Sequence, residues 1–84
     1  MFIRAYDENI MMTAFQVQTI KECKDNFGTE FFFIEGNVGQ NIRFYSNGRI
    51  EGLGKEWEYF MFDKESYMDD NESFKAFEKA VRFL

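Results

Sequence analysis

Residues 29–37 read TEFFFIEGN, three phenylalanines and an isoleucine in a row between two glutamates. Neighbouring side chains of an extended strand point to opposite faces, so Phe31 and Phe33 face one way and Phe32 and Ile34 the other. A single amphipathic helix covers one face of a sheet. A phenylalanine left in water on the other forfeits about 1.5–3 kcal/mol. Three arrangements meet the difficulty. The sheet curls toward a half-barrel, the N-terminal segment lies over it, or a partner covers it, including a second copy of the chain.

Downstream, NIRFYSNGRIEGL (residues 41–53) carries Asn47-Gly48, the preferred pair for a two-residue type I′ turn. Pairing outward from that turn predicts Ser46 opposite Arg49, Tyr45 opposite Ile50 and Ile42 opposite Leu53. A glycine-bearing loop, GNVGQN, joins this hairpin to the phenylalanine strand. KEWEYFMF (residues 55–62) then alternates, with Glu56, Glu58, Phe60 and Phe62 on one face and Trp57, Tyr59 and Met61 on the other. Residues 29–62 thus form a predicted antiparallel meander.

At the start of the chain, MFIRAYD reads as a strand and DEN as a turn. In MTAFQVQTI (residues 12–20), Phe15, Val17 and Thr19 alternate with Gln16 and Gln18, which favours a strand. Val17, Ile20, Cys23 or Lys24, and Phe27 also fit helical spacing, with Gly28 as the residue beyond the end. Toward the C-terminus, Asp69 and Glu72 have capping-box spacing, with Asp70 and Asn71 as competing caps. Phe74, Phe77, Val81 and Leu84 follow as an apolar stripe, with Lys75, Lys79 and Arg82 on the solvated side. The predicted fold is a single α+β domain over residues 1–84. A curled antiparallel sheet of five or six strands carries one C-terminal amphipathic helix on one face.

Of the 84 residues, 45% are hydrophobic and 20% aromatic, which argues against disorder. Apolar runs never exceed four residues, against about 20 for a membrane span, so no membrane association is expected. Arg4, Asp7 and Glu8 interrupt any secretory h-region. The single Cys23 has no internal disulfide partner, which fits a reducing cytoplasm. With no histidine, Ser/His/Asp and Cys/His catalysis and His-ligated metals are excluded. Gly54 and Lys55 invite a phosphate-loop reading, but Arg49 stands at its first glycine and Glu56 at its Ser/Thr position. Trp57 occupies the third glycine of a dinucleotide fingerprint. Counting an EF-hand from Asp63 puts Met68 at the sixth position and Phe74 at the twelfth. No catalytic, cofactor or metal site is therefore expected. Because the basic residues gather only on the last helix, direct nucleic-acid binding is not expected either.

The net charge of −5 is unevenly placed. Residues 56–72 hold seven acids (Glu56, Glu58, Asp63, Glu65, Asp69, Asp70 and Glu72) against Lys64, net −6. Residues 1–55 are net −1 and residues 73–84 net +2. The acidic segment also carries Trp57, Tyr59 and Tyr67, residue types that anchor interfaces. Acids around aromatic anchors suit a basic partner surface; they also serve as a solubility coat.

The opening FIRAYDENIMM resembles the start of the YopX-like proteins of bacteriophages and prophages, which carry an Arg-Ala-aromatic-Asp strand, a polar turn and a methionine. Arg4, Ala5, Tyr6, Asp7, Asn9 and Met12 carry the likeness, over about a dozen residues. It implies a phage or mobile-element origin, a strand after residue 11, and no catalytic residue. The function expected is a small non-enzymatic protein-binding module, in its sharper form a phage-type inhibitor of a host protein that grips nucleic acid. Its partner-binding residues are Glu56, Trp57, Glu58, Tyr59, Asp63, Glu65, Tyr67, Asp69, Asp70 and Glu72. Alternatives are a homodimer or larger homo-oligomer joined through a spare sheet face around Phe32 and Ile34, and a nucleic-acid or small-ligand binder.

Overall fold

A computed structural model describes residues 2–62 and 71–82. The strands are β1 (Phe2–Tyr6), β2 (Met12–Lys24), β3 (Glu30–Gly36), β4 (Asn41–Tyr45), β5 (Ile50–Gly52), β6 (Lys55–Trp57) and β7 (Tyr59–Phe62). One helix, α1 (Asn71–Val81), follows. The fold is α+β. Among the described residues its antiparallel sheet has seven strands, in the order β6-β5-β4-β3-β2-β1-β7, against the five or six expected. Strands β1 to β6 form a meander, and β7 leaves it to pair with β1. The strands at the two ends of the sheet are therefore separated in sequence by Glu58 alone. Only a sheet that curls can bring its ends that close, and α1 packs against this half-barrel.

Curling answers the problem posed by residues 31–34. Phe32 (7% exposed) and Ile34 (0%) point into the core. Both are already covered, so they offer no spare face for the oligomer expected to be centred on them. Phe31 and Phe33 face outward and are half-buried. Phe31 lies against Tyr45 with ring centroids 5.0 Å apart, and Arg49 sits 4.4 Å above the Tyr45 ring. Phe33 is flanked across the strands by Lys21 and Arg43, whose aliphatic stems can shield it.

The first segment is a strand. β2 runs for thirteen residues, pairing with β1 through its first part and with β3 through its second. A bulge between Val17 and Thr19 shifts the inward positions from Phe15 and Val17 to Ile20, and bulges of this kind bend a strand. The helical reading of Val17, Ile20 and Phe27 loses to β-pairing on both edges. Near the bulge, the Ile20 N–H donates to the Ser73 hydroxyl of α1 at 3.2 Å, tying the helix to the sheet backbone. The buried side of α1 comprises Ser73, Ala76, Phe77 and Ala80, with Phe74 half-buried beside them. Ala76 and Ala80 thus join Phe77 in a face centred one position away from the predicted stripe. Leu84 and the caps Asp69 and Asp70 lie outside the described residues. Lys79 is exposed, as expected, and pairs with Glu22 at 2.6 Å.

One turn prediction and one strand prediction fail. Strands β4 and β5 pair as Ile42↔Gly52, Arg43↔Glu51 and Phe44↔Ile50, one residue away from the predicted register. Their connection is a longer turn in which the Gly48 N–H donates to the Tyr45 carbonyl and only Gly48 has positive φ. The reason is burial. A one-residue slip changes the face of every side chain, and only the observed register places Ile50 inward with Ile42 and Phe44. Two consecutive positive φ angles, the mark of a type I′ turn, occur instead at Leu53 (55°) and Gly54 (80°), joining β5 to β6. KEWEYFMF is likewise two strands, with a bend at Glu58. The bend resets the alternation, so Trp57 packs on the same core as Phe60 and Phe62 and not on the side of Tyr59 and Met61.

Candidate functional site

The pairing of β7 with β1 brings the β1–β2 turn beside the β6–β7 corner. Tyr6 lies opposite Tyr59, and the Glu58 N–H donates to the Tyr6 carbonyl at 2.8 Å. The two tyrosine rings stack at 4.8 Å and 14°. Beside them is a depression of about 390 Å³ lined by Asp7, Glu8, Asn9, Lys55, Glu56, Trp57 and Glu58. Four of those seven side chains are carboxylates and one is an ammonium, so this corner is acidic.

Asp7 organises the turn. Its Oδ1 accepts the N–H groups of Asn9 and Met11, both at 2.9 Å, and its Oδ2 takes a short hydrogen bond from Lys55 Nζ. Lys55 also sits 4.7 Å above the Trp57 ring, and the Trp57 indole Nε1–H donates to the Gly52 carbonyl at 3.0 Å. Lys55 and the Met11 N–H hold the Asp7 carboxyl below the usual carboxylate range, against an opposing push from burial. A carboxylate with a depressed folded pKa stabilises the fold fully above its unfolded value near 4 and loses that contribution as pH falls through the folded value. Asp7→Asn is therefore expected to flatten the acid limb of thermal stability below about pH 4. Melting curves of both proteins across that range check it; an unchanged acid limb would show that Asp7 contributes nothing to it.

With Asp7 engaged, the carboxylates of Glu8, Glu56 and Glu58 make no ion pair among the described residues. Glu51, across from Glu56 in register, is instead matched by Arg43 at 3.1 Å and Arg49 at 3.3 Å. Of the residues expected to bind a partner, Glu56 and Glu58 line the depression, Trp57 forms its half-buried wall, and Tyr59 stands exposed beside it. Glu72 is exposed on α1 and does not line it. Asp63, Glu65, Tyr67, Asp69 and Asp70 lie outside the described residues. The sequence reading missed Tyr6, Asp7, Glu8 and Lys55. The DEN run was a usable signal for an acidic turn, but its meeting with Glu56 and Glu58 depends on the β1–β7 pairing.

A second depression, of about 290 Å³, is lined in part by Glu22, Cys23, Lys24, Phe31 and Lys79. Its charges are mixed, and Lys79 is already paired with Glu22. No group of His, Cys, Asp or Glu suited to a metal ion occurs among the described residues. No helix among them is long and apolar enough to cross a membrane. No protein-family model, curated protein or solved structure matches this chain.

Proposed function

We propose that this protein is a non-enzymatic protein-binding module that docks its acidic, aromatic corner on a basic surface of a partner. The observation that carries the reading is the convergence of Glu8, Glu56 and Glu58 on one depression beside the stack of half-buried Tyr6 on exposed Tyr59. Carboxylates that make no ion pair among the described residues steer and orient a basic surface, and stacked tyrosines supply apolar contact at small conformational cost. In its sharper form the partner's surface is one that otherwise grips nucleic-acid phosphates, and the module is a cytoplasmic inhibitor. The likeness of residues 2–12 to YopX-like proteins supports an origin in a phage or mobile element.

Affinity capture from a bacterial lysate, washed at low and at moderate salt, tests the proposal. The captured partner should be released by moderate salt, since exposed charges are screened over about 10 Å at 0.1 M. Glu56→Gln/Glu58→Gln should weaken capture about tenfold or more, roughly 1.4 kcal/mol, with an unchanged circular dichroism spectrum. A complex indifferent to both salt and the double substitution would falsify it.

A further inference from the structure

We infer that the outward face of β1, β7 and the start of β2 receives a basic amphipathic helix of the partner, with Glu8, Glu56 and Glu58 taking its lysines and arginines. The inference rests on the proposed docking of the acidic corner and names the chemistry of what docks there. Six of the nine large hydrophobic residues exposed among the described residues belong to this one region: Phe2, Ile10, Met11, Met12, Tyr59 and Met61. Phe27 and Val38, also exposed, sit in two other turns, β2–β3 and β3–β4. Register places Met12, Tyr6 and Tyr59 in a row across β2, β1 and β7, with Ala14, Arg4 and Met61 in the next row. Directly opposed residues of an antiparallel pair share a face, so these side chains form one surface. Its methionines can re-pack around an incoming apolar face.

The turn above that surface carries a second, independent signal. Turns 7–11 and 25–29 share one hydrogen-bonding scheme. Each begins with an aspartate whose Oδ1 accepts the N–H groups two and four residues on. In each, the same backbone bonds close the loop. The fourth position has positive φ in both, 80° at Gly28 and 62° at Ile10. Glycine occupies that conformation freely, whereas a β-branched side chain is strained there. Ile10 is also 74% exposed. It bears backbone strain and solvent exposure together, beside Glu8 and the methionines. Strain of this kind is characteristic of binding segments.

Charge decides between a basic helix and a second copy of the chain. In a two-fold face-to-face pairing centred on β1, Arg4 would meet Arg4 and the acidic rim would meet itself. A basic amphipathic helix meets neither conflict. Its apolar stripe fits the methionines and tyrosines, its cations fit the rim, and its carbonyl end suits Arg4.

The probe is a synthetic Leu/Lys peptide with leucines at i, i+3, i+4 and i+7, with a scrambled peptide of the same composition as comparison. Fluorescence anisotropy gives the affinities and methionine-methyl NMR the location. The amphipathic peptide should bind at least about tenfold tighter than the scrambled one, an equilibrium ratio of about 1.4 kcal/mol, and should shift the Met12 and Met61 methyls. Met61→Ser should lower its affinity. Ile10→Gly should lower affinity too while leaving the melting midpoint unchanged or higher, which a purely structural role for Ile10 does not predict. Equal binding of both peptides, unaffected by Met61→Ser, would overturn the helix inference and leave the acidic-corner proposal standing. Binding of neither peptide at low salt would overturn both. A dimer formed without peptide and abolished by Met61→Ser would give the face to a second copy and overturn the inference.

Discussion

Gly52→Ala is expected to destabilise the protein by about 3 kcal/mol or more, enough to leave much of it unfolded on mild warming. A Cβ at position 52 would lie 2.3 Å from the Asn41 carbonyl oxygen and 2.9 Å from the Ile42 Cα. Both are backbone atoms of the neighbouring strand, so no side-chain rotation relieves the clash. The strands must separate or slip, and a slip would carry Ile50 out of the core. Gly54→Ala is the matched control. Gly54 also has positive φ, but nothing lies within 4 Å of the added carbon, so its cost is backbone strain alone, about 1–2 kcal/mol. Urea denaturation of the two variants separates the effects. Equal midpoints would mean that β4 and β5 do not approach as closely at Gly52 as described.

The same pair of glycines shows where the sequence was legible. Strand identity in residues 29–45 followed from alternation and composition, whereas residues 12–27 fitted helical spacing as well as a strand, and only the pairing on both edges decides between them. Apolar side chains on both faces of residues 31–34 showed that the second face needs cover, and curling was one of three ways to supply it. Turn type did not follow. Asn47-Gly48 is the better local type I′ pair, yet that geometry occurs at Leu53-Gly54. Burial of Ile50 beside Ile42 and Phe44 sets the register, and the chain between β4 and β5 takes the turn that register requires. This is a tertiary demand overriding a local preference of a few tenths to 1 kcal/mol. The break at Glu58 was hidden for a similar reason. Unbroken alternation through KEWEYFMF looks like one strand, and only the return of β7 to β1 forces the corner. The candidate site inherits that limit. Glu56, Trp57, Glu58 and Tyr59 were found as a contiguous run, whereas Tyr6, Asp7 and Glu8 join them through a pairing some fifty residues apart in sequence. Ile10 carries no sequence signal of its own; its strain becomes visible only beside Gly28 in the twin turn.

Phe62→Ala links that packing to the docking face and is expected to cost about 3–5 kcal/mol. Phe62 is the middle of a run of edge-to-face rings. Its centroid lies 5.2 Å from Phe60 on one side and 4.8 Å from Phe77 on the other, and Phe60 in turn meets Phe44 at 4.8 Å. Edge-to-face pairs contribute roughly 0.5–1.5 kcal/mol beyond the area they bury, so truncation removes two such contacts and opens a cavity between sheet and helix. Among the described strands β7 pairs with β1 alone, so Phe60 and Phe62 are its hold on the interior there, while Tyr59 and Met61 alternate with them on the exposed face. Loosening the inward pair should therefore disorder the outward one. Urea titration should show the lower midpoint. Amide exchange should rise in Tyr59–Phe62 more than in β3, at urea concentrations where the variant remains folded. A loss of stability spread evenly over β3 and β7 would argue that β7 is not an independently held edge. The docking face would then owe its rigidity to β1 and β2.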